Sequence, residues 1–195
     1  MAKIILTTHQ KGGVGKSTLT FNLATNLRND AKVCIVDMDS QGSLLNLRDL
    51  TEVPIFSSEN LKDILEVDYD FIFIDTPPYL SDHLSELCQL AHVIIIPTKA
   101  GILDLLAIKS TIEIVKKSGS SDKAIIVFNM VKPNTNLTEE IKKQLQEYDI
   151  RVSRKMISDL VSFSRSVVLN GVEDNANAQR QIDNLTKEIL TLAIK

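Results

Sequence analysis

Residues 10–18 combine glycines, lysines and hydroxyls at a spacing that suits phosphate binding. Their sequence is Gln-Lys-Gly-Gly-Val-Gly-Lys-Ser-Thr. Glycines let the backbone turn tightly and point successive N–H groups at one place. A helix that begins at Lys16 would add the positive end of its dipole at the same place. Lys16 would then bridge the β- and γ-phosphates of a nucleotide, and the Ser17 hydroxyl would hold Mg²⁺.

The elements on either side of this loop have the order that phosphate binding requires. An apolar run, Ile4–Leu6, precedes the loop, and a helical pattern, Leu19–Leu27, follows it. Strand, glycine-rich loop and helix in this order favour a phosphate site over a flexible turn with two solvated lysines. The expected phosphate contacts are Lys11, Gly12, Gly13, Val14, Gly15, Lys16, Ser17 and Thr18.

Carboxylates follow two further apolar runs. Asp37 and Asp39 lie at the end of the second run, and their i, i+2 spacing lets both face a metal–phosphate site. Asp75 ends the run Phe71–Ile74 and is expected to hold Mg²⁺ through a water. The following Thr76-Pro77-Pro78 forms a stiff segment. The alternatives are a polar turn at Asp39 and a strand-terminating turn at Asp75.

The apolar runs alternate with helical patterns along the whole chain. This alternation predicts an α/β fold of three layers: a mostly parallel, twisted sheet with right-handed crossovers and helices on both faces. Ligands bind at the carboxyl ends of the strands in such sheets. The predicted strands are Lys3–Thr8, Lys32–Asp37, Phe71–Asp75, His92–Pro97, Lys123–Phe128 and a shorter Ile150–Ser153.

Composition limits the function classes. At 195 residues the chain is expected to form a single domain, 1–195. Its net charge of -3 creates no overall positive field, so any DNA contact must come from a local patch. No apolar stretch is long enough to span a membrane, and the loop begins too early for a signal peptide, so a cytoplasmic location is expected. Cys34 and Cys88 lack metal-ligand spacing, as do the histidines His9, His83 and His92.

Two departures from the usual phosphate loop carry a resemblance. Gln10 stands where the first glycine would be, and Lys11 is an additional lysine. The loop resembles that of the deviant Walker ATPases, the ParA/MinD family of P-loop NTPases, which has the pattern K-G-G-x-G-K-[ST]. In that family the first lysine reaches the partner's phosphates across an ATP-sandwiched homodimer, and the resemblance gives this catalytic role to Lys11. Asp39 matches the second aspartate of the D-x-D-P-Q switch, which positions the attacking water close to Mg²⁺, although Ser40 replaces the proline.

The resemblance extends to the rest of the chain with less specific motifs. It suggests that Asn129 contacts the adenine, although a strand-end turn is an equal alternative. It places a segment of the dimer face after Pro97, and the alternative is that Lys99 belongs to a solvated loop and Asp104 is an acid at a helix start. It also suggests that a basic stretch contacts DNA phosphates without sequence specificity. That stretch contains Arg151, Arg154, Lys155 and Arg165, and an ordinary solvated surface is the alternative.

The function implied by this resemblance is that of a short partition ATPase. Such a protein would bind ATP and Mg²⁺, form a homodimer, associate with the nucleoid through nonspecific DNA binding, and hydrolyse ATP slowly until a ParB-like centromere-binding partner stimulates it. Three alternatives stay open: a MinD-like ATPase that cycles on a membrane, a nucleotide-switched adaptor for conjugation or another cargo, and a metabolic ligase, against which Lys11 argues. The last helix, about Ala178 to Ile194, is expected to pack on the core and not to anchor a membrane.

Overall fold

A seven-stranded parallel sheet forms the centre of the computed structural model, which describes residues 2–79, 83–132 and 137–194. The strand order is β3-β2-β4-β1-β5-β6-β7, and every neighbouring pair is parallel. The strands are β1 (Lys3–Thr7), β2 (Val33–Asp37), β3 (Ile55–Ser57), β4 (Phe71–Asp75), β5 (Val93–Thr98), β6 (Ala124–Val131) and β7 (Arg151–Ser158). The predicted α/β fold class is therefore confirmed.

Helices cover both faces of this sheet. The helices are α1 (Lys16–Leu27), α2 (Leu61–Glu66), α3 (Leu84–Leu90), α4 (Ile102–Lys117), α5 (Leu137–Leu145), α6 (Val161–Leu169) and α7 (Ala176–Ala193). Side chains of α1, α6 and α7 form one core cluster with one face of the strands. Side chains of α2, α3, α4 and α5 form a second cluster with the opposite face. Alternation along a strand feeds both clusters, since Ile5 belongs to the first and Ile4 and Leu6 to the second.

Two strands differ from the sequence prediction. The three-residue strand β3 was not predicted, because so short a segment shows no periodicity. The strand β7 is longer than the predicted Ile150–Ser153 and continues to Ser158. Its outer N–H groups are partly satisfied by side chains of α7, as Ser158 donates its N–H to Gln181 Oε1 at 2.7 Å. The helix α7 therefore protects the edge of the sheet.

The final helix packs on the core, as predicted. Its apolar face is buried through Ile182, Leu185 and Ile189. The helix begins at Ala176, where the Asn175 side chain accepts from the backbone N–H groups of Asn177 and Ala178. Among the described residues, no helix is long and apolar enough to cross a membrane.

Strand β1 lies at the point where the chain changes direction across the sheet. It sits between β4 and β5. The connection that follows β1 leads towards the β3 edge, and the connection that follows β4 leads to the β5 side. A crevice at the carboxyl end of β1 follows from this reversal, and this is where ligands bind in open parallel sheets. The glycine-rich loop occupies that position.

Candidate nucleotide site

The loop that follows β1 requires glycine at two positions. Gly13 and Gly15 have φ angles of 71° and 85°, in the left-handed region that other residues rarely adopt. A Cβ atom on Gly15 would also overlap the amide nitrogen of Asn129. Gly15 is the N-cap of α1, so the first N–H groups of that helix point into the loop. The backbone therefore forms the anion-binding cradle that the spacing predicts.

Asn129, at the carboxyl end of β6, supports this cradle directly. Its amide nitrogen donates to the backbone carbonyl of Val14 at 2.9 Å, and the residue is buried. It also lines a cleft beside α1, together with Thr18, Met130, Asp159 and Leu160. One N–H of its side-chain amide is thus committed to the loop, and a contact of Asn129 with adenine remains a prediction for the adjoining cleft.

Lys16 lies over the loop and is almost completely buried. Its ammonium donates to the carbonyl of Lys11 at 3.3 Å. Burial lowers the pKa of Lys16, and the nearby Asp75 and Asp39 carboxylates oppose that shift. A lysine ammonium at the N-terminal end of a helix, where the helix dipole is positive, is well placed to meet a phosphate group.

Asp75 lies at the end of β4, directly beside the start of α1. Its carboxylate accepts hydrogen bonds from the hydroxyls of Ser17 and Thr20, the latter at 3.3 Å. Burial raises the pKa of Asp75 to about 7, and the neighbouring Asp37 adds to this shift, while Ser17 and Lys16 oppose it. A raised pKa means that the surroundings do not fully stabilise the ionised carboxylate. A bound cation would stabilise it, so this group fits a cation site.

Ser17 and Asp75 offer the donor set that Mg²⁺ uses beside phosphates. The described residues contain no cluster of three or more histidine, cysteine or acidic side chains that could hold a metal by themselves. Mg²⁺ is commonly held by one or two protein oxygens together with substrate phosphates and waters. The donors present therefore fit a magnesium ion that arrives with a nucleotide.

Asp37 organises the segment that carries Asp39. One oxygen of its buried carboxylate accepts the N–H of Asp39 at 3.0 Å, and the other accepts those of Leu44 and Leu45 at 2.9 and 3.0 Å. Asp39 in turn accepts the N–H of Gln41 at 2.9 Å. These hydrogen bonds fix the path of the loop, although Ser40 replaces the proline that would make the loop rigid. The sequence predicted only that Asp37 lies near the site, whereas the structure shows that it holds the backbone of this loop through three hydrogen bonds.

Lys11 and Asp104 form an ion pair that the sequence did not predict. The ammonium of Lys11 lies 2.6 Å from an oxygen of Asp104, which is in the first turn of α4. The Lys11 side chain is 36% exposed and that of Asp104 12%. Asp104 is the acid at a helix start that the sequence suggests, and in addition it is buried against the loop lysine.

The four basic residues predicted to contact DNA lie on two different elements, three on β7 and one on α6. Arg151, Arg154 and Lys155 project from β7, where they line open grooves together with Lys142 of α5 and Lys187 of α7. Arg165 is exposed on α6, a helix that packs against α1, and is not among the residues that line these grooves. None of the predicted four makes an ion pair with another described residue.

A phosphate-binding loop between a central parallel strand and a helix, with carboxylates at the ends of the neighbouring strands, defines a P-loop nucleotide-binding protein. Residues 5–168 match the CobQ/CobB/MinD/ParA nucleotide binding domain. The chain belongs to this family. The resemblance inferred from the loop lysines is thereby confirmed.

Individual relatives agree with this assignment. The chain is 29% identical over 180 residues to the maintenance of carboxysome distribution protein A of Halothiobacillus neapolitanus, covering 83% of this chain and 82% of that protein. It is 26% identical over 235 residues to the chromosome partitioning protein ParA of Myxococcus xanthus, covering 89% and 83%. A plasmid partition protein of Borrelia burgdorferi B31 bound to AMPPNP has the same fold, with a TM-score of 0.77, 23% identity and coverage of 98% and 99%.

Proposed function

We propose that this chain is an ATPase of the ParA type that dimerises when it binds ATP and Mg²⁺ and uses this cycle to partition or position a cargo. The observation that carries the proposal is the loop with two lysines. Lys16 is buried over the phosphate cradle, whereas Lys11 is more than a third exposed at the rim. Two lysines in such different settings suit different tasks, one within the subunit and one across an interface.

Inside the subunit, the residues divide the work of phosphate binding. The N–H groups of the loop and the Lys16 ammonium would bind the phosphates, and Ser17 and Asp75 would hold the magnesium ion. When bound, Mg²⁺ neutralises phosphate charge that develops during transfer. The hydroxyl–carboxylate contact between Ser17 and Asp75 keeps both donors aligned before a ligand arrives.

Asp39 is the proposed residue that orients the attacking water. Its carboxylate is within electrostatic reach of Lys16, and Asp37 holds its backbone. Phosphoryl transfer depends mainly on positioning and electrostatic stabilisation. Turnover by the isolated chain is therefore expected to be slow, and a partner that adjusts this loop would accelerate it.

Dimerisation is the proposed role of the rim around Lys11. Ile102, Leu103 and Leu106, at the start of α4, are 67%, 73% and 56% exposed. They lie on the same helix as Asp104, the residue paired with Lys11. Exposed aliphatic side chains beside a functional cation are typical of a protein interface. In the dimer, Lys11 would contact the phosphates of the other subunit.

The Lys11→Ala variant tests this role. It should bind ATP through Lys16 and the loop, yet neither dimerise with ATP nor hydrolyse it at the wild-type rate. Lys117→Ala, an exposed lysine at the opposite end of the same helix α4, serves as the control and should behave as wild type. Normal dimerisation and hydrolysis by Lys11→Ala would remove the cross-subunit role.

We propose that the ATP-bound dimer binds DNA without sequence specificity. Arg151, Arg154 and Lys155 form an exposed basic surface that has no ion-pair partner among the described residues, on a chain of net charge -3. Such cations bind DNA phosphates with little sequence preference. A dimer carries two copies of this surface, so DNA binding becomes dependent on ATP, and a ParB-like partner would release it by stimulating hydrolysis. The protein would thus associate with the nucleoid in its ATP state.

Charge reversal tests the surface and its boundary. Arg154→Glu should weaken DNA binding strongly and reduce the slope of affinity against salt concentration. Arg165→Glu should have a smaller effect, because Arg165 is on α6 and does not line the same grooves. Arg48→Glu, an exposed arginine near the opposite sheet edge, is the control. Equal losses in all three variants would indicate only a general charge effect.

A cargo other than a chromosome is the second candidate. The relative in Halothiobacillus neapolitanus is named for carboxysome distribution, so the same ATPase cycle can be considered for a cargo of that kind. Membrane cycling of the MinD type is less favoured, since α7 uses its apolar face on the core. Sedimentation with anionic liposomes in the presence of ATP separates the membrane alternative from the DNA proposal.

A further inference from the structure

Three groups of Lys11 make polar contacts with other residues in this structure. Its ammonium pairs with Asp104, and its carbonyl accepts from the Lys16 ammonium. Its backbone N–H donates to Nδ1 of His9 at 2.8 Å. The first two contacts involve groups that a nucleotide or a second subunit would engage. The contact with His9 involves neither, so it can persist throughout a nucleotide cycle.

His9 is held in one protonation state and one tautomer by its surroundings. The residue is fully buried, and Lys16 and Lys11 lie close to it. Burial, with these two lysines, lowers the pKa of His9 to about 4, although Asp104 opposes the shift. Because Nδ1 accepts a hydrogen bond, the ring proton is on Nε2.

The Nε2 atom of His9 finds no hydrogen-bond partner among the described residues. A buried donor without a partner destabilises the folded state. A phenylalanine would fill similar space without this cost. The feature that distinguishes histidine here is therefore the acceptor at Nδ1, which contacts the residue two positions further along the chain.

We infer that His9 is a positioning residue of the phosphate loop: its neutral ring fixes the backbone of Lys11 and, through it, the direction in which the loop presents Lys11 and the glycines that follow. This inference rests on the proposed ATP site. His9 acts through Lys11 and the loop backbone. The neighbouring bond from the Gln10 N–H to Thr111 Oγ1, at 3.0 Å, ties the same segment to α4 and supports a rigid entry to the loop.

Three variants test the acceptor. His9→Phe keeps an aromatic ring and removes Nδ1, whereas His9→Asn offers a side-chain oxygen that can accept from an N–H two residues on, as in an Asx-turn. His92→Phe is the matched control, since His92 Nδ1 accepts the N–H of Ile4 at 3.0 Å, at the opposite end of β1. We expect ATP affinity to fall about tenfold in His9→Phe and to stay within about twofold of wild type in His9→Asn and His92→Phe.

The wild-type protein supplies a second, independent measurement. Nitrogen NMR shifts of the His9 ring should show an unprotonated Nδ1 and a protonated Nε2, and the Lys11 amide should exchange slowly with solvent. This measurement needs no ATP, so it tests the positioning contact even if the proposed ATPase function fails. A His9 ring protonated at Nδ1, wild-type ATP affinity in His9→Phe, or equal losses in His9→Asn and His9→Phe would each overturn the inference.

Discussion

The ion pair between Lys11 and Asp104 leads to a prediction about dimer affinity. If Lys11 must leave Asp104 to reach the other subunit, the energy of the pair opposes dimerisation. The ammonium and carboxylate are 2.6 Å apart, and the lysine side chain is 36% exposed. A pair with this exposure contributes about 1 kcal/mol. Two lysines are released per dimer, so the pairs together oppose association by about 2 kcal/mol, or about 30-fold in the dimer dissociation constant.

The variant Asp104→Asn should therefore dimerise more tightly, by up to this factor. Sedimentation velocity with a non-hydrolysable ATP analogue measures the dissociation constant. Asp63→Asn, which removes a carboxylate from the first turn of α2, controls for the loss of a favourable helix-dipole interaction. A weaker dimer in Asp104→Asn would contradict this prediction, because Asp104 would then stabilise the interface more than it restrains Lys11.

Three further predictions follow from the buried groups of the site. Asp37→Asn should lower the unfolding free energy by about 2 kcal/mol, because the amide cannot accept hydrogen bonds from all three N–H groups around it. Urea titration measures this loss. The same variant should reduce the rate of ATP hydrolysis more than the affinity for ATP. Gly15→Ala should abolish binding of a fluorescent ATP analogue, since φ is 85° and the methyl group meets Asn129; unchanged binding would contradict the loop geometry. Between pH 6.5 and about 4, His9 binds a proton in the unfolded protein but stays neutral in the folded protein. Acidification therefore destabilises the folded wild type through this group. Asp75, with its pKa raised to about 7, has the opposite effect on stability, so the unfolding free energies of two variants must be compared. As the pH falls, the unfolding free energy of His9→Asn should rise relative to that of the wild type by up to about 3 kcal/mol. Parallel curves of unfolding free energy against pH would contradict this.

The parts of the site that were predictable are those encoded by local sequence. The loop, the start of α1 at Lys16 and the position of Asp75 at a strand end all follow from spacing and periodicity within a few residues. The fold class followed in the same way, because a regular alternation of apolar runs and helical patterns leaves few topologies.

The parts that were not predictable depend on contacts between distant residues. Lys11 and Asp104 are 93 positions apart, and Asn129 and Val14 are 115 apart. No local pattern states that an acid at a helix start will face a lysine of another loop. Arg165 shows the converse, since it is close in sequence to Lys155 but lies on α6 after the chain has left the sheet edge.

The most direct test of the proposed cycle is binding of the wild-type protein to random-sequence duplex DNA with ATP, with ADP and without nucleotide. We expect binding only with ATP, and this binding should weaken steeply as the salt concentration rises. Equal binding in all three states, or binding in none, would contradict an ATP-controlled association with DNA.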